Sequence, residues 1–371
     1  MQHAALTRLR VGGNSPLDAP LNDEVCCYLL AVIASDLSLI SLFPELSSSQ
    51  PAFFGRDSLR SMRISNVEFL PLYERLLSLK PDADAFFACL SKLHKARLKY
   101  ERILQAQPMP TLDQVGPRSL LQFGRLTPPA LAGLLFWRKW IFDIDNRAGQ
   151  ETGYLFEPII AGAIGGVPFG APKSPIKRKP KNSGKLEGRR QVDCIREQDK
   201  RAYELKVRVT VAASGQGRWA EELSFPVDAK YSGYKPILVV LDPTQNDKLT
   251  ALSKAFLHEG GMCFIGNDAW EHLEEQAGPT MSQFIERYIR TPMQTIIREA
   301  RKPTELPNFV ARIEDSQIVL RVGEEELWIQ RSEMPELQTE PDPLPEGVED
   351  ELLGLTTELW ARRELVSLGW L

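Results

Sequence analysis

The chain has 371 residues, 43% hydrophobic and 25% charged, which is enough for one large elaborated domain or two to three smaller ones with a sizeable core. No uninterrupted apolar stretch reaches the length of about 18 residues that a membrane span needs, and "MQHAALTRLRVGGNSPLDAP" at the start lacks the apolar centre of a secretory signal. The net charge of -4, taken alone, argues against a nucleic-acid partner.

Residues 1–20 read as irregular. Apolar runs then predict helices over 21–43, 65–79 and 82–106; in the last, Phe86, Leu90, Leu93, Leu98 and Leu104 fall near helical spacing. The stretch 108–129 is a connection punctuated by proline and glycine. "ALAGLLFWRKWIFDI" (130–144) predicts another apolar helix. A further helix is expected over 149–167, entered through a glycine-rich bend, with Pro158 as a kink or a first-turn residue.

Residues 168–188 then read as a long loop. Between 173 and 190 the chain carries eight Lys or Arg against one Glu, a basic stripe that the overall charge conceals. Two strands are expected at 189–196 and 202–211, then the loop "AASGQG" and a helix from 217. "KPILVVLD" (235–242) is the continuous apolar run of a strand covered on both faces. A helix over 247–260, a short strand at 262–266, and helices over 268–276 and 280–300 follow.

The alternation in 307–330 predicts a small antiparallel meander. It is followed by an acidic, proline-rich linker (339–351) and a last helix (350–368). Residues 333–371 hold ten acids against two arginines, which leaves +4 on the other 332 residues. Three regions are expected: helical 1–148, an α/β core over 149–303 with a sheet of about five strands, and the C-terminal elements of 304–371.

Five cysteines, Cys26, Cys27, Cys89, Cys194 and Cys263, form no C-x-x-C pair, which suits a reduced cytoplasmic protein. His3, His94, His258 and His272 are scattered and make no zinc motif. "KNSGKLEG" (181–188) holds a Gly-Lys pair but lacks the other residues of a phosphate-binding loop.

The chemistry concentrates in "RRQVDCIREQDKRAYELKVRVTV" (189–211). On the second strand Tyr203, Leu205 and Val207 point one way, and Glu204, Lys206 and Arg208 the other. A hairpin turning on Gln198 and Asp199 pairs 193 with 204 and 191 with 206. Asp193 and Glu204 then face each other across the strands, with Cβ atoms about 5 Å apart, an arrangement that destabilises a sheet by itself. A divalent cation with oxygen ligands removes that penalty; Mg²⁺ is bound by one or two carboxylates plus water and phosphate oxygens. Lys206 then orients or activates the attacking water, or stabilises the charge developing on the phosphate.

Asp193 followed by Glu204-Leu205-Lys206 resembles the PD-(D/E)-x-K nuclease motif, with Val192 at the position of the usual proline. Glu157 in "GYLFEPIIAGAIGG" resembles the extra acid on the first core helix of that fold. More narrowly, "RRQVDCIREQDKRAYELKVRVTVAASGQGRWAEELSFP" is similar to ApaLI-type restriction endonucleases, over most of the chain and best across 150–290. The resemblance implies a restriction-endonuclease-like α/β core flanked by helices. It also implies a Mg²⁺-dependent type II enzyme that cuts double-stranded DNA at a short palindrome as a homodimer. A cognate DNA methyltransferase would be a separate protein, and the setting the bacterial cytoplasm.

On this reading Asp193 and Glu204 hold metal, Lys206 assists the water, and Glu157 completes the site. Lys177, Arg178, Lys179, Lys181, Lys185, Arg189 and Arg190 meet the DNA backbone. Gln216 and Arg218 in "ASGQGRW" read bases, adenine and guanine respectively. Glu221 and Glu222 are expected as surface or supporting acids. Two other readings stay open: a repair or recombination nuclease of the same fold, and a catalytically silent DNA-binding protein on this scaffold.

Overall fold

The computed structural model describes residues 17, 19–46, 50–114, 116–180, 188–207, 216–244 and 246–332. The expected acidic linker and last helix of the C-terminus lie outside these residues.

Three helices open the fold: α1 (Asp23–Asp36), α2 (Phe69–Leu79) and α3 (Ala83–Ala106). The Asn22 side chain caps α1 by accepting from the Val25 N–H at 3.0 Å, which satisfies one of the orphan donors of its first turn. The next helix differs from expectation. One continuous α4 (Pro128–Ala163) replaces the two helices anticipated over 130–144 and 149–167, and so runs through the anticipated boundary at 148/149. Pro158 lies inside it. An internal proline costs about 3 kcal/mol in an isolated helix. Here the turn after it is buried through Ile159, Ile160, Ala161 and Ala163, and burial on that scale outweighs the loss. The Cys89 thiol of α3 also donates to the Ile159 carbonyl at 3.6 Å.

The central sheet has five strands in the order β1 (Val167–Phe169), β2 (Val192–Arg196), β3 (Arg201–Lys206), β4 (Lys235–Val240) and β5 (Met262–Ile265). β1, β2 and β3 pair antiparallel; β3, β4 and β5 pair parallel. Between α4 and β1, Gly165 takes φ +70°, and a Cβ on Gly166 would lie 2.2 Å from the Cys194 sulfur, so the chain crosses tightly against β2 only because both are glycine. β1 was not anticipated; it falls where a helix end and a loop were expected.

The sheet is covered on both faces, as the apolar run of β4 predicts. Ile237 and Val239 join a core with Cys194, Tyr203 and Leu205, while Leu238 and Val240 join the opposite one with Val192 and Ala202. Residues of α1 to α4 and of α7 (Asn267–Ile285) build the first core. The N-terminal helices therefore share one hydrophobic interior with the sheet. α5 (Gln216–Tyr231) and α6 (Asp247–His258) build the second, where Phe225 stacks on Phe256 with ring centroids 5.7 Å apart.

α7 is broken at Gly278 (φ 72°) and continues through a π-turn over Glu286–Arg290 into α8 (Thr291–Ala300). A separate meander of β6 (Phe309–Glu314), β7 (Gln317–Val322) and β8 (Glu325–Gln330) follows as expected, and its Ile318 and Ile329 bury Trp140 of α4. Among the described residues no helix is long and apolar enough to cross a membrane.

Candidate active site

The β2–β3 hairpin sets the site. Cys194 pairs with Tyr203, Ile195 with Ala202 and Arg196 with Arg201, the register that a turn on Gln198 and Asp199 predicts. Lys200 closes the turn at φ +52°. The pairing ends at Cys194 and Tyr203, where β2 is irregular against β1; beyond it Asp193 is tied to β3 through its side chain and lies close to Glu204. Ile195 and Ala202, two residues back on each strand, are fully buried, while Asp193, Glu204 and Lys206 are half-buried. The carboxylates thus lie just beyond a fully buried pair, at the end of the hairpin away from its exposed turn.

The two acids are held differently. Asp193 Oδ2 accepts from the Leu205 N–H at 2.9 Å. Glu204 Oε1 lies 2.8 Å from Lys206 Nζ, and Lys206 Nζ also reaches Glu222 Oε1 of α5 at 3.2 Å. Burial pushes the Asp193 carboxyl well above the ordinary aspartate range, and the nearby Glu204 and Glu157 push it further, against Lys206 and the Leu205 N–H. Burial works against the charge on Lys206, but Glu204, Glu222 and Asp193 outweigh it and hold the ammonium well above the usual lysine range.

Glu157 enters from α4. It lines one small cavity with Lys206, Phe156, Ile160, Leu205 and Leu273. The structure therefore brings together all four residues singled out in the sequence, Asp193, Glu204, Lys206 and Glu157. It adds Glu222, whose approach depends on how α5 docks.

Among the described residues, no group of three or more His, Cys, Asp and Glu side chains makes a ready metal cage. The donors present still suit a hard cation. Two neighbouring carboxylates are a sufficient protein share for an ion that keeps most of its waters. Burial and then the neighbouring Glu204 and Glu157 raise the Asp193 carboxyl, and a bound cation would offset the repulsion among these acids.

The basic stripe divides. A short bridge between Lys177 and Arg189 closes its root, above the buried Ile176. Lys177 and Lys179 expose their side chains, while their backbone N–H groups donate to Ser232 Oγ and Asp228 Oδ1, both at 2.8 Å. Arg178 pairs with Glu221 at 2.6 Å. Arg189 is exposed and donates to the Ser174 carbonyl at 2.6 Å.

Arg190 departs from its expected place on the DNA face. It is buried, lies 2.7 Å from Asp228 Oδ2, donates to Ser224 Oγ at 2.9 Å and stacks over Phe225. A guanidinium committed to a buried carboxylate is a fastener between the stripe and α5, not a free phosphate ligand. Lys181 and Lys185 lie outside the described residues, as do the side chains of Gln216 and Arg218.

Comparison with known proteins gives a consistent answer. A sequence profile described as ApaLI-like restriction endonuclease matches residues 62–290. A protein of Acetobacter pasteurianus, "Type II restriction enzyme ApaLI", is 44% identical over 291 residues, covering 75% of this chain and 76% of its own. No solved structure matches significantly. The matched span runs from just before α2, through Glu157 and the hairpin, to the end of the π-turn, and on that extent the chain belongs to the ApaLI-like restriction endonuclease family.

Proposed function

We propose that the protein is a type II restriction endonuclease that hydrolyses phosphodiester bonds of double-stranded DNA at a short palindrome, with Mg²⁺, on a PD-(D/E)-x-K core. The observation that carries this reading is the convergence of Asp193, Glu204 and Lys206 at one end of the β2–β3 pair, with the Lys206 ammonium 2.8 Å from Glu204. Family membership supports it independently.

In this reading Asp193 and Glu204 hold the cation, with Glu157 beside them. When bound, the ion supplies positive charge against the phosphate under attack and acidifies water. Lys206, kept protonated by its acidic neighbours, acts as a charged donor: it orients the attacking water and stabilises the charge developing on the phosphate. Lys177, Lys179 and Arg189 present positive charge to the DNA backbone. A palindromic target matches a two-fold homodimer. The region 1–148 and the elements after 303 would support that assembly and the wrapping of DNA, and a separate methyltransferase would protect host sites.

The test is digestion of a phage DNA of known sequence with purified protein and Mg²⁺, followed by sequencing of the fragment ends. Discrete fragments ending at one shared palindrome are expected. Cleavage only at branched or damaged DNA would make it a repair-type nuclease. Absence of any Mg²⁺-dependent nicking would leave a DNA-binding scaffold.

A further inference from the structure

The Lys206 ammonium has two carboxylate partners from two different elements. Glu204 is two residues back on β3, so its side chain shares a face with Lys206 and meets it with no help from the rest of the fold. Glu222 is on α5, and its 3.2 Å contact exists only because α5 packs on that face of the sheet. Neither pair is a loose surface contact: side-chain exposure is 23% for Lys206, 15% for Glu204 and 28% for Glu222.

This geometry sets a conflict and its solution. If Glu204 were the lysine's only partner, the ammonium would sit on a carboxylate that the metal needs, and the two cations would compete for it. Once the metal engaged Glu204, the lysine would be left half-buried with no fixed acceptor. Glu222 removes both problems, because an ammonium has three donors and an acceptor is already in place.

We propose that Glu222 is a positioning residue that retains the Lys206 ammonium on the α5 side of the site, freeing Glu204 for the metal. The inference rests on the reading that Asp193 and Glu204 bind the cation. It gives Glu222 no direct bond to that ion. Supporting groups of this kind change metal affinity or activity by about 10–100-fold when removed.

The experiment is a double-mutant comparison with Mn²⁺ as probe, by isothermal titration of the full-length protein, alongside single-turnover cleavage with Mg²⁺. Glu222→Gln should weaken Mn²⁺ binding by about ten-fold and slow cleavage by a similar factor, because the ammonium then rests wholly on Glu204. Glu222→Asp, which keeps the charge, should recover part of both. In a Lys206→Met background the same Glu222→Gln change should leave Mn²⁺ affinity within about two-fold.

Equal weakening in both backgrounds would make Glu222 a metal ligand and overturn the proposal, as would no effect of Glu222→Gln in the native background. Asp193→Asn serves as the control. If it binds Mn²⁺ like the native protein, the metal assignment itself fails, whatever Glu222 does.

Discussion

Asp193 and Leu205 are joined across the hairpin by a side chain rather than by the ladder: Asp193 Oδ2 accepts the Leu205 N–H at 2.9 Å. A half-buried carboxylate is thereby fixed beside Glu204 with one oxygen committed to the backbone, and in the proposed function its charge serves the cation. The same bond separates the fold from the chemistry. An asparagine oxygen can accept from Leu205, but it cannot supply the charge.

Asp193→Asn should therefore fold and lose cleavage by more than about a thousand-fold, as expected when a carboxylate that holds the charge-stabilising cation is removed. The stability consequence has a definite sign. A carboxyl whose folded pKa is raised gives a contribution fully present below its unfolded value, near 3.8, and lost as pH rises through the folded one. Without metal, Asp193→Asn should melt above the native protein at pH 8, and the gap should close as pH falls towards 4. Added Mg²⁺ should raise the melting temperature of the native protein and not of the variant. A native-like cleavage rate would remove Asp193 from the site.

Arg190 and Asp228 form a pair with side chains only 8% and 7% exposed. Removing one partner strands the other charge in the interior, a loss of about 3–5 kcal/mol. Arg190→Ala should therefore lower the urea midpoint strongly. It should also weaken DNA binding indirectly, because Lys177 and Lys179 lose the fastening of their loop to α5. A variant of native stability with reduced DNA affinity would return Arg190 to the DNA face.

Lys177 and Lys179 should behave in the opposite way. Both side chains are exposed, so alanine at either should leave stability within about 0.5 kcal/mol. Each should weaken binding to cognate and unrelated duplexes alike and reduce the slope of log K against log salt by about 1. Fluorescence anisotropy across a salt series checks this, and an unchanged slope would place the lysines away from the phosphates.

How much of this was legible in the sequence follows from the range of the interactions. The hairpin is local: a polar turn at Gln198 and Asp199 and alternation on either side are enough to set the Cys194–Tyr203 register and bring Asp193 close to Glu204. The central strand β4 is equally local, since only a strand covered on both faces carries an unbroken apolar run. The continuity of α4 was not legible, because Gly149 and Pro158 are breakers on local propensity and the packing that overrides them comes from α3 and the sheet. β1 was missed for its three residues among glycine and proline. The roles of Arg190 and Glu222 depend on where α5 docks. Arg190 sits in a run of positive charge, and nothing near it announces Asp228, 38 residues on.

His94 offers the last test, away from the site. Its imidazole is fully buried beside Tyr28, Phe53 and Arg97, and neither ring nitrogen has a hydrogen-bond partner among the described residues. Burial, with the Arg97 charge, depresses its pKa to about 4; His272 is likewise held to about 4 by burial and by Arg201 and Arg196. With the folded pKa below the unfolded value near 6.5, the unfolded chain takes up the proton first as pH falls. The contribution is complete above pH 6.5 and is lost down to about pH 4. Between pH 7.5 and 5 each ring should remove about 2 kcal/mol. His94→Leu keeps roughly the same volume and removes two unsatisfied nitrogens, so at pH 7.5 it should be at least as stable as the native protein. It should lose about 2 kcal/mol less on acidification. Urea midpoints at the two pH values measure the difference, and an unchanged acid sensitivity in the variant would show that His94 titrates no differently folded than unfolded.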